Sequence, residues 1–526
     1  MNQTFVKSTL ILSVATLVSK ILGSIFRIPL QNIAGDEVLG IFSLVYPVYM
    51  VALILSVAGI PVAISKLISE ARVNNDHQRI DEIYRTSSIL TLLFGVLSFT
   101  LILVFQNQLA NLLGGPTVKP ALIIVSLTLL IAPYMAVYRG YFQGFENMVP
   151  TALSQVIEQF VRVGLILILA VFLVQQNYSS ETISGGIMIG SSLGALASLI
   201  YLRRLFRKNK AKNAVEKSPF SWQQFIATSK VILLISIPIS IGAITMALVN
   251  FVDSLTIPMS LVNANVPSSE ITHLYGIYGR GLSLVQIVTV FSSSLVLPLI
   301  PLITRKLAER DEVGMRQIIE KTHFMSHIIS WPAAFGLFAL TVPLNIALFT
   351  NTEGSYVLAI IGISSVFTSL AILGTGILQG MDLAKHAALI VVGAVIGKVI
   401  TNIIFIKQFG LVGAAYSTLV IYIAIFIVNS YVLIRRTAFK SWSKKHTIIV
   451  LATALMTAVI GLPTLYFEVA EWSRTVALLY SVAAMIVGAG IYFAVLLFAK
   501  VIGEEELLKL PVIKKILLKR RNKLGR

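Results

Sequence analysis

Val161-Arg-Val-Gly-Leu-Ile-Leu-Ile-Leu-Ala-Val-Phe-Leu-Val174 holds one charge in 14 residues, and its apolar side chains cover every face of a helix. A helix that is apolar all round must be surrounded by lipid or by other apolar helices. Residues 391–406 repeat the pattern, with Lys398 as the single charge. A spanning helix needs roughly 20 mostly apolar residues. Read at that length, the chain offers about fourteen spans: 9–33, 38–65, 86–105, 120–142, 150–174, 183–202, 226–261, 274–304, 322–349, 355–380, 386–406, 411–434, 447–467 and 475–499. Composition agrees. Of 526 residues, 56% are hydrophobic and 12% charged, against about 25% charged in an average soluble domain. The expected fold class is all-α, a polytopic membrane protein.

The cations are distributed unevenly. Lys and Arg crowd loops 66–85, 203–217, 305–321 and 435–445 and the tail 500–526, whereas loops 31–37, 175–182, 262–272 and 350–354 hold none. With an even number of spans, this bias places both termini in the cytoplasm of a multi-pass protein of the cell membrane. The net charge of +19 is then a matter of orientation, and no nucleic-acid partner is expected. Residues 504–526 mix Leu, Ile and Val with Lys and Arg at helical spacing. They suit a surface helix on the anionic inner leaflet, where each basic residue contributes about 1 kcal/mol; a disordered basic tail is the competing reading. The absence of cysteine excludes disulfides, thiolate catalysis and Cys-ligated metals. Residues 1–30 run into the first span without a small-residue cleavage site, so they are not expected to be a cleavable signal.

An internal repeat organises the spans. Gly140-Tyr-Phe-Gln143-Gly144 recurs as Gly376-Ile-Leu-Gln379-Gly380, and 379 − 143 = 236. The same offset pairs Glu146 with Asp382, Arg162 with Lys398 and Gly40 with Gly276, while Pro61 and Pro298 match one residue out of step. A duplicated unit of six spans explains this, and an even number of spans gives both copies one orientation. The expected organisation is a first lobe at 1–217, a second at 218–440, two further spans at 441–500 and a basic amphipathic cytoplasmic tail at 501–526. Paired lobes of this kind enclose a cavity near the bilayer midplane. The Gly-xxx-Gly spacings at 140/144, 186/190/194, 376/380 and 393/397 serve close helix packing.

Charges inside the spans are the candidate functional residues, since each costs at least ~2.5–3.5 kcal/mol at the bilayer centre unless it faces a cavity or a partner. They are Lys20, Arg27, Glu158, Arg162, Asp253, Arg280 and Lys398. Glu158 and Arg162 are four apart on one helix face and are expected to pair; Asp253 is expected to pair with Lys398. These four are read as lobe ion pairs or coupling residues. Lys20, Arg27 and Arg280 have no acidic partner near them in sequence, and they are the candidate substrate-binding set. Excess cations call for an anion, and arginine's planar fork suits phosphate. An amphiphile with a phosphorylated head and an acyl tail fits best.

The stretch Val18-Ser-Lys-Ile-Leu-Gly-Ser-Ile-Phe-Arg27, with Gly35-Asp and Leu39-Gly-Ile-Phe, resembles the start of the multidrug/oligosaccharidyl-lipid/polysaccharide (MOP) exporter superfamily. Asn250-Phe-Val-Asp-Ser-Leu-Thr-Ile-Pro258 and Tyr278-Gly-Arg-Gly281 resemble its polysaccharide-biosynthesis branch, with the stage V sporulation protein B-like proteins and the MurJ-type lipid II flippases. The resemblance implies a V-shaped pair of six-helix lobes, MATE/MurJ-like, with spans thirteen and fourteen forming a lipid-facing groove. It implies flipping of undecaprenyl-pyrophosphate-linked sugars to the outer leaflet, with family cavity arginines falling near Lys20 and Arg27 and on Arg280. Some members bind sodium between spans seven, eleven and twelve. Asp253 and Asp382 correspond to its carboxylates, but Lys398 stands where a neutral ligand belongs, so no sodium site is expected.

The leading expectation is therefore a lipid-linked-oligosaccharide flippase acting as a monomer among membrane lipids, without cofactor or metal. Its alternative is a cation-coupled multidrug or small-molecule exporter of the MATE type, using Glu158 and Asp253. A membrane enzyme ranks last: the six histidines are scattered, and His323 and His327 share a helix face without a third ligand nearby. No Gly-x-x-x-x-Gly-Lys-Ser/Thr loop is visible, so no nucleotide drive is expected.

Overall fold

The computed structural model describes residues 3–57, 59–212 and 220–501. Most of the expected basic tail therefore lies outside the described residues. Among those described there is no strand. The helices of the first half are α1 (Gln3–Ile25), α2 (Arg27–Val57), α3 (Ile60–Val73), α4 (His77–Val104), α5 (Gln106–Leu112), α6 (Lys119–Ser126), α7 (Thr128–Gly144), α8 (Val149–Gln175) and α9 (Ser180–Lys212). The second half has α10 (Trp222–Asn263), α11 (Ser268–Ala308), α12 (Glu312–Ala339), α13 (Thr341–Phe349), α14 (Ser355–Gly380), α15 (Ala384–Phe409) and α16 (Leu411–Thr437). Then follow α17 (Lys444–Tyr466) and α18 (Arg474–Phe498).

Among the described residues, eleven helices are long and apolar enough to cross a membrane, or twelve if α12 and α13, bent by 78°, make one broken span. The shortfall against fourteen has two sources. Ile11–Val73 is one 63-residue stretch that contains two expected spans; at 1.5 Å per residue it is about 95 Å long, far beyond a ~30 Å hydrocarbon core. It is interrupted at Phe26 and kinked at Gly35 (φ 79°, ψ 178°), a conformation that excludes most L side chains. The helix α10 divides into two shorter apolar pieces, Trp222–Ile237 and Ala247–Asn263.

Side chains sort by depth. In α8 only 17% of the most apolar window is buried, against 83% in α14. The first helix shows Phe160, Ile168 and Phe172 to the outside; the second is enclosed by α11, α12 and α16. Apolar side chains exposed on this scale mark a lipid-facing surface.

The repeat is visible in the packing. Gly40 and Gly276 face each other between α2 and α11: a Cβ on Gly40 would overlap the Thr272 carbonyl oxygen, and one on Gly276 the Asp36 carbonyl oxygen. Positions 36 and 40 meet 272 and 276, each pair 236 apart, so the contact lies on the pseudo-two-fold axis. The ends of α7 and α14 match as well. Glu146 (φ 59°) and Asp382 (φ 61°) adopt the same left-handed turn, and Glu146 donates its N–H to the Gln143 carbonyl as Asp382 does to that of Gln379. Both are exposed turn residues. One register step off, Asp76 and Asp311 cap α4 and α12 by accepting from Arg79 N and Gly314 N, both at 2.8 Å, which satisfies N–H groups that a helix start leaves open.

Candidate functional site

A cavity of about 410 Å³ lies between α1, α2, α7 and α8 on one side and α11 on the other. Four cations line it, Lys20, Arg27, Arg139 and Arg162, with one carboxylate, Glu158. Each is held differently. Lys20, in the last third of α1, is exposed and donates across to Ser293 Oγ on α11 at 3.1 Å. Arg27 opens α2 and is 4% exposed; its guanidinium stands over Phe42 at 5.6 Å and Tyr46 at 5.7 Å, and its buried Nε has no hydrogen-bond partner. Cation–π contact of this kind offsets part of the desolvation cost but leaves the N–H groups free for an acceptor. Arg162, on α8, is also buried and lies beside the Tyr46 hydroxyl. Arg27 and Arg162 thus converge on one phenol from two helices.

Arg139, near the end of α7, is the cation that pairs. It donates to Glu158 Oε2 at 2.7 Å, to Ser154 Oγ at 3.0 Å and to Ser198 Oγ at 3.3 Å. The expected pairing of Glu158 with Arg162 is thereby corrected: the i,i+4 neighbour reaches across to α2, and the carboxylate is taken by a cation 19 residues away. Sequence reading missed Arg139. It sits in Tyr138-Arg-Gly140, beside the duplicated glycine motif and close to a span end, where a charge passes for an ordinary helix-end residue. The signal available was that motif itself, whose glycines pack closely against α3.

Arg280 is not in the cavity. It is fully buried, and its Nε donates to Asp36 Oδ1 at 2.6 Å while Nη2 donates to the other carboxylate oxygen. Its Nη1 reaches Asn345 Oδ1 at 3.1 Å and Asn351 Oδ1 at 2.8 Å, and the guanidinium covers Phe349 at 5.3 Å. This bidentate pair joins α11 to α2 beside the Gly40–Gly276 contact and is a structural tie between the two halves. The expectation that it binds substrate with Lys20 and Arg27 is corrected by that geometry.

In the second half, Lys398 Nζ lies 3.2 Å from Asp253 Oδ1, both side chains sealed from solvent. Asn402 Nδ2 donates to the same oxygen at 2.9 Å and Tyr278 OH to Oδ2 at 3.0 Å, while Lys398 also donates to Thr418 Oγ1 at 2.5 Å. Asp382 is remote from this network, at its exposed turn after α14. The histidines are less scattered than the sequence suggested: α17 brings the His446 ring to 4.8 Å from that of His327, which is 5.4 Å from His323. Trp331 donates to His327 Nδ1 and Ser443 to His446 Nδ1. Among the described residues no group of three or more His, Asp or Glu has the geometry of a metal site.

Residues 5–307 match the polysaccharide biosynthesis protein family. The chain belongs to that family. It is also similar to stage V sporulation protein B and to MurJ, the branch its motifs resemble. Three relatives from Bacillus subtilis (strain 168) cover nearly all of it. An uncharacterised membrane protein, YabM, is 29% identical, over 95% of this chain and 94% of its own. Stage V sporulation protein B is 27% identical over 98% and 100%. Lipid II flippase MurJ is 25% identical over 90% and 89%. Among solved structures, lipid II flippase MurJ in an inward closed conformation superposes with a TM-score of 0.65 at 17% identity, covering 93% of this chain and 100% of that one. An inward-facing MATE transporter of the MOP superfamily gives 0.64 at 17%, over 81% and 98%. These last two establish the fold: all-α and MATE/MurJ-like.

A second cavity, about 400 Å³ and almost wholly apolar, lies between α12, α17 and α18. Pro332, Gly336, Met456, Ile460, Gly488 and Phe493 line it, and Val288 of α11 reaches it too. The next residues of α11, Thr289 and Val290, line the cationic cavity, so one helix borders both.

Proposed function

We propose that the protein moves a polyprenyl-diphosphate-linked sugar from the inner to the outer leaflet of the cell membrane, for cell-wall or polysaccharide synthesis. One observation carries the reading: of the four cavity cations, only Arg139 has a carboxylate within salt-bridge distance among the described residues. Buried cations without counter-charge are costly, and an anionic ligand removes that cost. Paired guanidiniums suit a diphosphate because each donates two parallel hydrogen bonds to it. The apolar cavity beside α11 suits the polyprenyl chain. The relationship to a lipid II flippase and to stage V sporulation protein B supports the same substrate class.

In this reading the head binds at Arg27 and Arg162 around Tyr46, with Lys20 nearer the opening, and the tail stays in lipid and the apolar groove. Bound anion relieves repulsion among the cations. It drives a conformational change only so far as the two states bind it with different affinity. Outward movement of an anion along an inside-negative potential gains about 2.3 kcal/mol per charge per 100 mV, which suffices without nucleotide. The protein acts as a transporter rather than an enzyme, multi-pass in the cell membrane, with both termini and the Lys/Arg-rich loops cytoplasmic. A cation exporter would need an available carboxylate, and Glu158 is engaged by Arg139.

The test is to express Arg27→Gln and Arg162→Gln in cells depleted of their own lipid II flippase and to measure head-group exposure on the outer face. Each lost charged hydrogen bond is worth ~1.5–3 kcal/mol, so transport should fall roughly tenfold to a hundredfold, with protein levels unchanged. Export at the wild-type rate in both variants would remove the assignment.

A further inference from the structure

The cationic cavity has two unlike walls. All of its charges come from α1, α2, α7 and α8 of the first half. The wall supplied by α11 is neutral and polar: Gln286, Thr289 and Ser293, with Val290 between them. The hydroxyls on that wall are already committed as donors. Thr289 Oγ1 donates to the Gln286 carbonyl at 3.2 Å and Ser293 Oγ to the Val290 carbonyl at 3.0 Å. What they offer the cavity is acceptor lone pairs. Among the described residues the Gln286 amide has no partner, so it offers two donors and an acceptor. Opposite, Gln159 Oε1 is buried without a donor. Ser293 accepts from Lys20 across the cavity.

We infer that the α11 wall, through Gln286, Thr289 and Ser293, is the sugar-reading surface of the substrate site, and that glycosylation of the lipid is sensed there rather than at the arginines. This rests on the function proposed above. The chemistry is complementary: a sugar presents O–H donors to the Thr289 and Ser293 oxygens and accepts from the Gln286 amide, and none of these groups attracts phosphate as a charge does. The diphosphate is gripped by one half and the sugar by the other, so only a ligand carrying both bridges the halves. That bridging supplies the differential affinity that a conformational change requires. A bare polyprenyl diphosphate should bind to the arginines and stay where it is.

The experiment uses the full chain in lipid nanodiscs with two probes, undecaprenyl diphosphate and undecaprenyl diphosphate bearing one sugar. The wild type should bind the glycosylated probe about tenfold more tightly, as two or three net hydrogen bonds allow, and should flip it alone when reconstituted in vesicles. Gln286→Ala should lower the preference for the glycosylated probe, and Gln286→Ala with Thr289→Val should bring that probe down close to the affinity of the bare one, both leaving the bare probe's affinity unchanged. Arg162→Gln should weaken both probes alike. Equal wild-type affinity for the two probes, or a wall variant that keeps the sugar preference or loses both probes together, would overturn the inference while leaving the flippase reading in place. A wild type that binds neither probe would overturn both.

Discussion

Arg162 and Lys398 occupy one position of the repeat, 236 residues apart, and the two halves use it in opposite ways. Arg162 opens on a cavity, touches a phenol, and has no salt bridge among the described residues. Lys398 is sealed against Asp253, with Asn402, Tyr278 and Thr418 completing its shell. The lesson is that an intramembrane charge has no fixed meaning. Where a carboxylate stands within reach, the charge is part of the scaffold; where none does, it is available to a ligand. Arg280 and Arg139 extend the comparison. The first is fully enclosed with Asp36, and the second is partly open and shares Glu158.

The largest expected effect comes from breaking the sealed pair. Lys398→Met or Asp253→Asn alone leaves a lone charge or an unpaired polar group in the interior, and should cost ~3–5 kcal/mol of stability. The double variant should recover most of that loss. Thermal unfolding of the purified protein reads this, and a double variant no better than the worse single one would deny that the pair acts as a unit.

A smaller effect is expected where the halves are alike. Gly40→Ala and Gly276→Ala each force a methyl into the facing backbone, at ~1–3 kcal/mol. The two losses should agree within about 0.5 kcal/mol. Unequal unfolding shifts would show that the axis contact is less symmetric than its geometry.

The smallest effect should come from Arg139→Gln. Transport should drop less than in Arg162→Gln, by only a fewfold, because Arg139 already spends part of its charge on Glu158, and Arg139→Gln with Glu158→Gln should restore part of the rate. Head-group export reports it. A loss matching that of Arg162→Gln would place Arg139 in the anion grip and erase the distinction between paired and unpaired cavity cations.

Much of this molecule was legible in one dimension. Long apolar blocks gave the helices, because hydropathy over twenty residues is a local property. The offset of 236 gave the duplication, since Gly40, Glu146 and Arg162 each keep a counterpart. The number of crossings was less legible: a kink at Gly35 leaves a polar connection inside one long helical stretch, and composition does not show backbone dihedrals. The candidate residues fared unevenly. Lys20 and Arg27 line the cavity together with Arg162. Arg280 looked free because Asp36, its partner, is 244 residues distant. Glu158 was paired with its neighbour on the helix because spacing shows only the same helix.

The sequence alone determined a bundle of apolar helices, duplicated, in a lipid bilayer, with a handful of charges that had to be accommodated inside it. Only the tertiary structure decided which charges are neutralised and which are not. Coulombic pairing acts over a few ångströms, and in the folded bundle the atoms within that range come from helices 19 residues apart in sequence for Arg139 and Glu158 and 244 apart for Arg280 and Asp36.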